Sequence, residues 1–297
     1  MRGAIKGTFS IVAADPHARE VGCAVQSRYF AVGTVVPWAR AGVGAVASQA
    51  AGVAAYGPQA LEALAAGASP EEALGRVLAA DEERETRQLG VVTAGGRSAA
   101  HTGSGCLSWA GHRTGPGYAV QGNILASEDV VAAMEAAFVD TAGMPLAHRL
   151  VAALEAAQAA GGDARGQQSA ALVVEREGAA AERREGLDRV VDLRVDDHEQ
   201  PIVELRRLYG IQQRWDALER AAVHHRPGEY ELGAAILRES LDSLGEDAVV
   251  LYDLACFEAL SGQTNQAAAH LERALELDPG LRSSAERDPD LASLADA

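Results

Sequence analysis

The order in which strand-like and helix-like segments follow one another restricts the fold of this chain more than any other feature. Segments with the two-residue period of a β-strand come in groups, and pairs of Ala-rich helical segments separate the groups. A parallel sheet built from βαβ units needs strands that alternate singly with helices, so the order argues against it. Two sheets packed face to face, with helix pairs on their outer faces, satisfy the order.

Turn and capping residues locate these segments along the chain. Residues 15–19 (Asp-Pro-His-Ala-Arg) predict a hairpin turn between the first two strands. Ser69, Pro70 and Glu72 together form a helix start with a capping box. The predicted strands are 8–14, 20–27, 32–36, 42–48, 87–93, 97–102, 118–122, 169–175 and 189–194, and the predicted helices are 57–66, 70–80, 128–140 and 145–160.

The β signal ends near residue 200, and helical periodicity continues from there. A long helix is predicted over 202–223. Residues 248–279 carry the leucines, small residues and final proline typical of a tetratricopeptide repeat, and a shift of about 34 residues suggests a degenerate copy over 214–247. The predicted organisation is a leader 1–7, an α+β domain 8–200, a small all-α tetratricopeptide-like module 201–282 and a polar tail 283–297.

Charge and composition exclude several classes of partner. The chain has 26 Lys and Arg against 42 Asp and Glu, a net charge of −16. Such an acidic surface repels phosphate backbones and anionic membranes, so no nucleic acid and no membrane partner is expected. The cysteines are odd in number and far apart (Cys23, Cys106, Cys256), which predicts no disulfide framework and favours the reducing cytoplasm.

Thr8, at the start of the first strand, is the candidate nucleophile. A threonine that becomes N-terminal can use its own α-amine as the base, because the reference pKa of that amine, about 7.7–8.0, leaves part of it neutral at physiological pH. A threonine inside the chain has no such amine. The local sequence is equally consistent with a β-prone residue that only opens a strand.

Further polar side chains end or precede predicted strands, where they can line a cleft. Amides such as Asn123 can polarise an oxyanion, and the Gly-rich loop 161–169 can present a carboxylate, a guanidinium and backbone N–H groups to a ligand. The ordinary alternatives are solvated strand ends, an Asn-held turn and a helix cap with a surface Asp–Arg pair. The candidates are Ser27, Ser48, Gln49, Gln121, Asn123, Asp163, Arg165 and Ser169.

No metal site and no cofactor is expected. Asp192, Asp196, Asp197 and His198 could in principle supply oxygen and imidazole ligands. Adjacent aspartates on a strand cannot point the same way, however, so a strand end with solvated acids explains the run better.

Many short runs within residues 8–205 resemble the sequences of a single protein family. The runs cover 8–15, 22–27, 30–33, 36–50, 109–115, 118–125, 161–163, 165–166, 168–172 and 191–198. They resemble an uncharacterised bacterial family, number 1028 among the domains of unknown function (DUF1028), which is classed as similar to N-terminal-nucleophile (Ntn) hydrolases. The resemblance implies a four-layer αββα sandwich with Thr8 at the nucleophile position. Family members often begin almost directly at this threonine, whereas seven residues precede it here, so either Gly7–Thr8 is cut or Thr8 is never freed.

Two functional hypotheses follow from the residues and the resemblance. The first is an autoprocessing hydrolase of a C–N (amide) bond in a small molecule or peptide, in which Thr8, Ser27, Asn123 and Asp163 carry catalysis. Its substrate contacts would be Ser48, Gln49, Gln121, Arg165 and Ser169. The second is a non-catalytic ligand-binding or scaffold protein on the same fold, whose helical module recruits a partner. Under either hypothesis the sandwich faces favour a homo-oligomer, and the helical module docks on a protein partner or on the sandwich itself.

Overall fold

The computed structural model describes residues 7–182 and 186–295. The chain divides into two compact units, Met1–Arg206 and Arg207–Ala297. Of the predicted leader, residues 1–6 lie outside the described residues, and Gly7 is the first residue described.

The larger sheet of the first unit carries the strand that begins at Thr8. All its neighbouring strands are antiparallel, and their order is β10-β9-β2-β1-β8-β7. The first two strands form the hairpin expected from residues 15–19, so Asp15 lies opposite Glu20 and Thr8 opposite Ser27. The strands are β1 (Thr8–Asp15), β2 (Glu20–Ser27), β7 (Gly111–Gly115), β8 (Tyr118–Asn123), β9 (Ser169–Arg176) and β10 (Arg189–Val195).

The smaller sheet is also antiparallel and has the order β3-β4-β5-β6. Ala45 and Ala47 of this sheet and Val12 and Val25 of the larger one belong to the same buried cluster, so the two sheets pack face to face. The strands are β3 (Pro37–Arg40), β4 (Gly44–Ala50), β5 (Arg87–Thr93) and β6 (Ser98–Thr102).

Helix pairs cover the outer faces of these sheets. Leu64 and Leu74 from one pair pack with Val46 and Val91 of the smaller sheet. From the other pair, Leu150 lies against Gly22 of β2. Ser69 and Glu72 form the predicted capping box at the start of α2. The helices are α1 (Tyr56–Ala65), α2 (Pro70–Leu78), α3 (Asp129–Asp140), α4 (Leu146–Ala159) and the short α5 (Ala179–Glu182).

The described residues of the second unit form helices joined by turns and short loops. Two buried clusters stabilise it, one centred on Leu237 and Leu254 and the other on Ala255 and Ala267. In the described part of the whole chain, no helix combines the length and the apolar character that a membrane crossing requires. The helices are α6 (Pro201–Ala222), which contains the division between the units, α7 (Tyr230–Leu244), α8 (Ala248–Leu260), α9 (Thr264–Leu277), α10 (Arg282–Ala285) and α11 (Ala292–Ala295).

The predicted fold class, α+β with antiparallel sheets and a C-terminal helical region, is confirmed. The predicted strand over 32–36 is wrong: Val32–Thr34 forms a 3-10 turn, and the next strand begins at Pro37. Ala31 has a φ of 53°, and this left-handed residue turns the chain away from an extended path. The strand Gly111–Gly115 was not predicted, because its largely exposed polar residues show no apolar alternation.

Candidate functional site

Four polar side chains form one row across the end of the larger sheet. Thr8 on β1 lies opposite Asn123 on β8 and Ser27 on β2, and Ser27 lies opposite Ser169 on β9. Residues directly opposite one another share a face of the sheet, and this face is the one turned toward the smaller sheet. All four are buried, with at most 2% of their surface exposed. A buried row of polar groups costs free energy unless each group is bonded, which marks this end as a candidate site.

Thr8, Ser27 and the Gly7 carbonyl are linked by a chain of hydrogen bonds. The Thr8 hydroxyl donates to Ser27 Oγ at 3.1 Å, and Ser27 Oγ donates to the Gly7 carbonyl oxygen at 2.5 Å. That oxygen also accepts a hydrogen bond from Arg165 Nη2 at 2.9 Å. The carbonyl next to the candidate nucleophile is therefore held by two donors, one of them charged, as an oxyanion would be.

Asp163, which is buried, and Arg165, which is half-buried, form an ion pair beside Gly7. Asp163 is 3% exposed, and its carboxylate accepts from the Arg28 and Arg165 backbone N–H groups at 3.1 and 2.9 Å. Arg165 Nη2 approaches the same carboxylate at 2.7 Å. A Cβ at Gly7 would lie 2.8 Å from both Asp163 carboxylate oxygens and 2.9 Å from Arg165 Nη2. Only glycine leaves room for the chain to pass this close to the pair.

Behind the row, a network of amides connects the two sheets. Gln49 Nε2 and Asn123 Nδ2 both donate to Gln88 Oε1, at 2.8 and 2.9 Å. Ser10 donates to Gln49 Oε1 at 2.6 Å and accepts from Gln121 Nε2 at 2.7 Å. The network holds Asn123 beside Thr8 from the side of the smaller sheet. Gln121 acts here as a buried link in the network.

Ser48 and Ser169 hold loops at the rim of the site. The Ser169 hydroxyl donates to the Tyr29 carbonyl at 2.5 Å and accepts from the Val32 N–H at 3.1 Å. Ser48 donates to the Val53 carbonyl at 2.9 Å. Both side chains thus support the loops that follow β2 and β4.

Three non-glycine residues with positive φ lie where the chain leaves this end of the sheets. They are Ala31 at 53°, Ala50 at 66° and Ile124 at 53°. For a β-branched residue such as Ile124 this conformation is strained, by about 1–3 kcal/mol. Such strain persists where the surrounding structure demands a particular loop path, which occurs often at functional sites.

A cavity of about 60 Å³ adjoins Thr8. Val32, Val35 and Val36 line it together with Ser48 and Gln49. A ligand group that occupies this cavity would contact the Thr8 side chain directly.

The cysteines are poorly suited to serve as the nucleophile. Burial raises the pKa of the Cys23 thiol far above its usual range, and it also raises the pKa of Cys106. Both thiols therefore stay protonated at neutral pH, whereas the reactive form is the thiolate. Cys106 instead donates to the Arg87 carbonyl at 3.4 Å.

Among the described residues, one group of metal-capable side chains meets within 4.8 Å: Cys256, Asp288 and Asp290 in the second unit. Asp288 caps the following turn by accepting from the Asp290 N–H at 3.0 Å and also accepts from the Tyr252 hydroxyl at 2.7 Å. Burial and the neighbouring carboxylates raise the pKa of the Cys256 thiol. A capped helical turn accounts for this arrangement without an ion.

The structure brings the nine candidates from the sequence to one end of the first unit, in the polar row, the Asp163–Arg165 pair, the amide network or the rim. Sequence reasoning missed Gly7 as a contact residue, and it missed Ser10 and Gln88. Ser10 could have been found, because it is two residues beyond Thr8 and must share its face. Gln88 carried no local signal, since its role depends on how the two sheets meet.

The fold and this site define an α+β protein with two antiparallel sheets and a buried polar centre where they meet. A family model described as "Family of unknown function (DUF1028)" matches residues 8–205, and the chain belongs to that family. A crystal structure of a protein from Silicibacter pomeroyi, assigned to the same family, is similar at 36% sequence identity with a TM-score of 0.62. The match covers 68% of this chain and 84% of that one. No curated protein matches the chain.

Proposed function

We propose that this protein is an Ntn-type hydrolase that removes residues 1–7 and then hydrolyses amide C–N bonds with Thr8 as its N-terminal nucleophile. The αββα architecture of that class is consistent with the two facing sheets and their outer helices. One observation carries the proposal: the Gly7 carbonyl accepts from Ser27 and Arg165, while Ser27 also accepts from the Thr8 hydroxyl.

This arrangement suits an intramolecular cleavage. Thr8 Oγ1 attacks the Gly7 carbonyl carbon and passes its proton to Ser27 Oγ, while Ser27 passes its own proton to the Gly7 oxygen. The tetrahedral intermediate collapses when the C–N bond breaks and the proton on the Gly7 oxygen passes through Ser27 Oγ to the Thr8 nitrogen, which leaves an ester on Thr8. Water then hydrolyses the ester, releasing residues 1–7 with a Gly7 carboxylate and freeing the Thr8 amine and hydroxyl.

After this step the new amine takes over the role of base. It lies where Gly7 had been bonded, beside Ser27 and close to the Asp163–Arg165 pair, which orient it. The amine accepts the Thr8 hydroxyl proton as Oγ1 attacks a substrate carbonyl, and it then donates that proton to the leaving nitrogen. Water hydrolyses the acyl ester and restores the free threonine.

Asn123 is suited to stabilise the anionic intermediate of this reaction. One Nδ2 hydrogen is bonded to Gln88 Oε1, and we assign the other to the substrate oxyanion. Loss of one such donor typically slows turnover by about 10²–10³-fold.

Intact-mass measurement of untagged protein tests the processing step. We expect the wild-type mass to lack residues 1–7 and the Thr8→Ala mass to retain them. Thr114→Val, on the exposed strand β7, is the control and should mature normally. Active wild-type protein that still begins at Met1 or Arg2 would rule out the amine as base.

Turnover is tested separately with proteins that begin at residue 8 after a removable fusion. Amine release is measured with small amides, cyclic amides and aminoacyl compounds. Thr8→Ser should retain some turnover, whereas Thr8→Val should lose about three or more powers of ten. Equal activity of Thr8→Val and wild type would support the alternative of a non-catalytic ligand-binding protein, since shape alone then suffices.

For the second unit we propose a tetratricopeptide-like helix pair formed by α8 and α9. Small buried residues, Ala255, Ala267 and Ala274, lie in one cluster where these helices meet, as that repeat requires. Such a pair would recruit a peptide or protein partner.

The proposed location of the protein is the cytoplasm. The three cysteines are unpaired, which fits a reducing compartment.

A further inference from the structure

The cavity beside Thr8 indicates which substrates the proposed hydrolase would accept, and this step rests on the proposed function. We infer that the protein acts on amides whose acyl group is a small, uncharged aliphatic chain of roughly three to five carbons. The cavity has a volume of about 60 Å³, which holds roughly four water-sized groups. An aromatic acyl group would need considerably more space.

The walls of the cavity favour an apolar occupant. Val32, Val35 and Val36 contribute branched side chains to the lining. The other lining residues without a hydroxyl or amide side chain are Ala50, Gly52 and Ala54, and Tyr29 also lies in the wall. Among the described residues that line the cavity, none has a charged side chain. A carboxylate or ammonium group placed here would lose its hydration without gaining an oppositely charged side chain, which is costly in free energy.

The polar side-chain atoms that Thr8, Ser48 and Gln49 contribute to the cavity are already engaged within the protein. Ser48 Oγ donates to the Val53 carbonyl, and the Gln49 amide bonds to Ser10 and Gln88. Thr8 Oγ1 donates to Ser27. Recognition of a substrate group in the cavity therefore depends on its shape and apolar surface, while the Thr8 oxygen supplies the chemistry.

The position of the amine decides which side of the amide enters the cavity. The leaving nitrogen must face the Thr8 amine, which protonates it, on the side where Gly7 contacts Asp163 and Arg165. Neither of these two residues lines the cavity. The acyl chain, bonded to the same carbonyl carbon as the leaving nitrogen, then extends into the cavity.

The test uses protein that begins at Thr8 and a series of 4-nitroanilides with acetyl, isobutyryl, isovaleryl, benzoyl and succinyl groups. We expect kcat/KM for isobutyryl and isovaleryl to exceed that for acetyl, benzoyl and succinyl by about tenfold or more, since one methylene is worth about 10–200-fold in a fitted apolar pocket. Binding of isobutyramide, measured by ligand-observed NMR, supplies a readout that needs no turnover.

Two variants of residues that line the cavity, and one control variant, test whether the cavity is responsible for the acyl preference. Ala54→Leu should fill the cavity and abolish both isobutyramide binding and the aliphatic preference. Val35→Ala should enlarge it and shift the preference toward isovaleryl, which keeps the test informative if Ala54→Leu fails to fold. Ala55→Leu, at the exposed neighbouring residue outside the lining, should change neither.

The outcomes separate this inference from the proposed reaction. If Ala54→Leu abolishes isobutyramide binding but no anilide is hydrolysed, the cavity assignment stands and the assignment of Thr8 as nucleophile is overturned. Hydrolysis that favours succinyl, or that ignores Ala54→Leu and Val35→Ala, would overturn the substrate class and keep the nucleophile. Absence of both binding and hydrolysis would overturn the substrate class.

Discussion

The same four strands build two contrasting ends of the space between the sheets. At one end, β8, β1, β2 and β9 place Asn123, Thr8, Ser27 and Ser169 side by side. Four residues along the same strands and on the same face, the corresponding row is Ala119, Val12, Cys23 and Val173. Both rows are buried, with at most 5% of any member exposed.

The difference between the rows shows that the apolar end serves the stability of the fold, whereas the polar end serves another role. The apolar row joins the inter-sheet core, where burial stabilises at about 25 cal/mol per Å² of apolar surface. The polar row gives up that gain and needs a hydrogen-bond partner for each group. A fold that needed only stability would extend the apolar row, so the polar end is best explained by function.

The largest effect is expected from a substitution of Gly7, because it disrupts the hydrogen bonds at the polar end. Gly7→Ala places a Cβ 2.8 Å from the Asp163 carboxylate oxygens, so either the pair or the chain must move and the Gly7 carbonyl loses its donors. We expect cleavage of the Gly7–Thr8 bond, followed by intact mass over time, to slow at least about a hundredfold.

The control for this experiment is Gly75→Ala in α2, where nothing lies within 4 Å of the added Cβ. That variant should mature at the wild-type rate. Protein expressed to begin at residue 8 should also be fully active, since Gly7 is absent from it. Normal maturation of Gly7→Ala would refute the assigned role of the Asp163–Arg165 pair.

An intermediate effect is expected when the network behind the polar row is disrupted. Gln88→Met keeps the length of the side chain but removes the hydrogen bonds that Gln88 accepts from Asn123 Nδ2 and Gln49 Nε2 and donates to the Gly122 carbonyl. The free energy of unfolding should fall by about 2–4 kcal/mol in urea titrations. Displacement of Asn123 should lower kcat/KM by about tenfold or more.

Gln59→Met, at an exposed position of α1, is the matched control and should change stability by less than about 0.5 kcal/mol. If Gln88→Met unfolds at the wild-type urea concentration, the amide network does not organise this end of the sandwich.

The smallest effect is expected at the apolar row, where polarity is introduced without a partner. Val12→Thr keeps the branched shape but buries a hydroxyl, at a cost of about 1–3 kcal/mol in the free energy of unfolding. Processing and kcat/KM should stay within about twofold of wild type. Val139→Thr, on the exposed part of α3, should cost less than about 0.5 kcal/mol. Loss of activity in Val12→Thr would show that the two ends do not act independently.

Local sequence was sufficient to predict the structure wherever a short segment determines its own geometry. The hairpin turn at residues 15–19 sets the pairing of β1 with β2, so Thr8 meets Ser27 as a direct consequence of equal strand lengths. The capping box of α2 formed as expected from Ser69 and Glu72. In contrast, the turn at Val32–Thr34 and the edge strand β7 escaped prediction, since backbone strain and pairing decide them rather than apolar period.

By itself, the sequence determined the antiparallel α+β class, the helical C-terminal region and the polar residues at the strand ends, because period, turns and caps act within a few residues. Only the tertiary structure decided that Asp163 and Arg165 meet Gly7, more than 150 positions earlier in the chain, and that Gln88 holds Asn123 from the opposite sheet. These contacts depend on register and on sheet-to-sheet packing, which bring together residues that have no relation in local sequence.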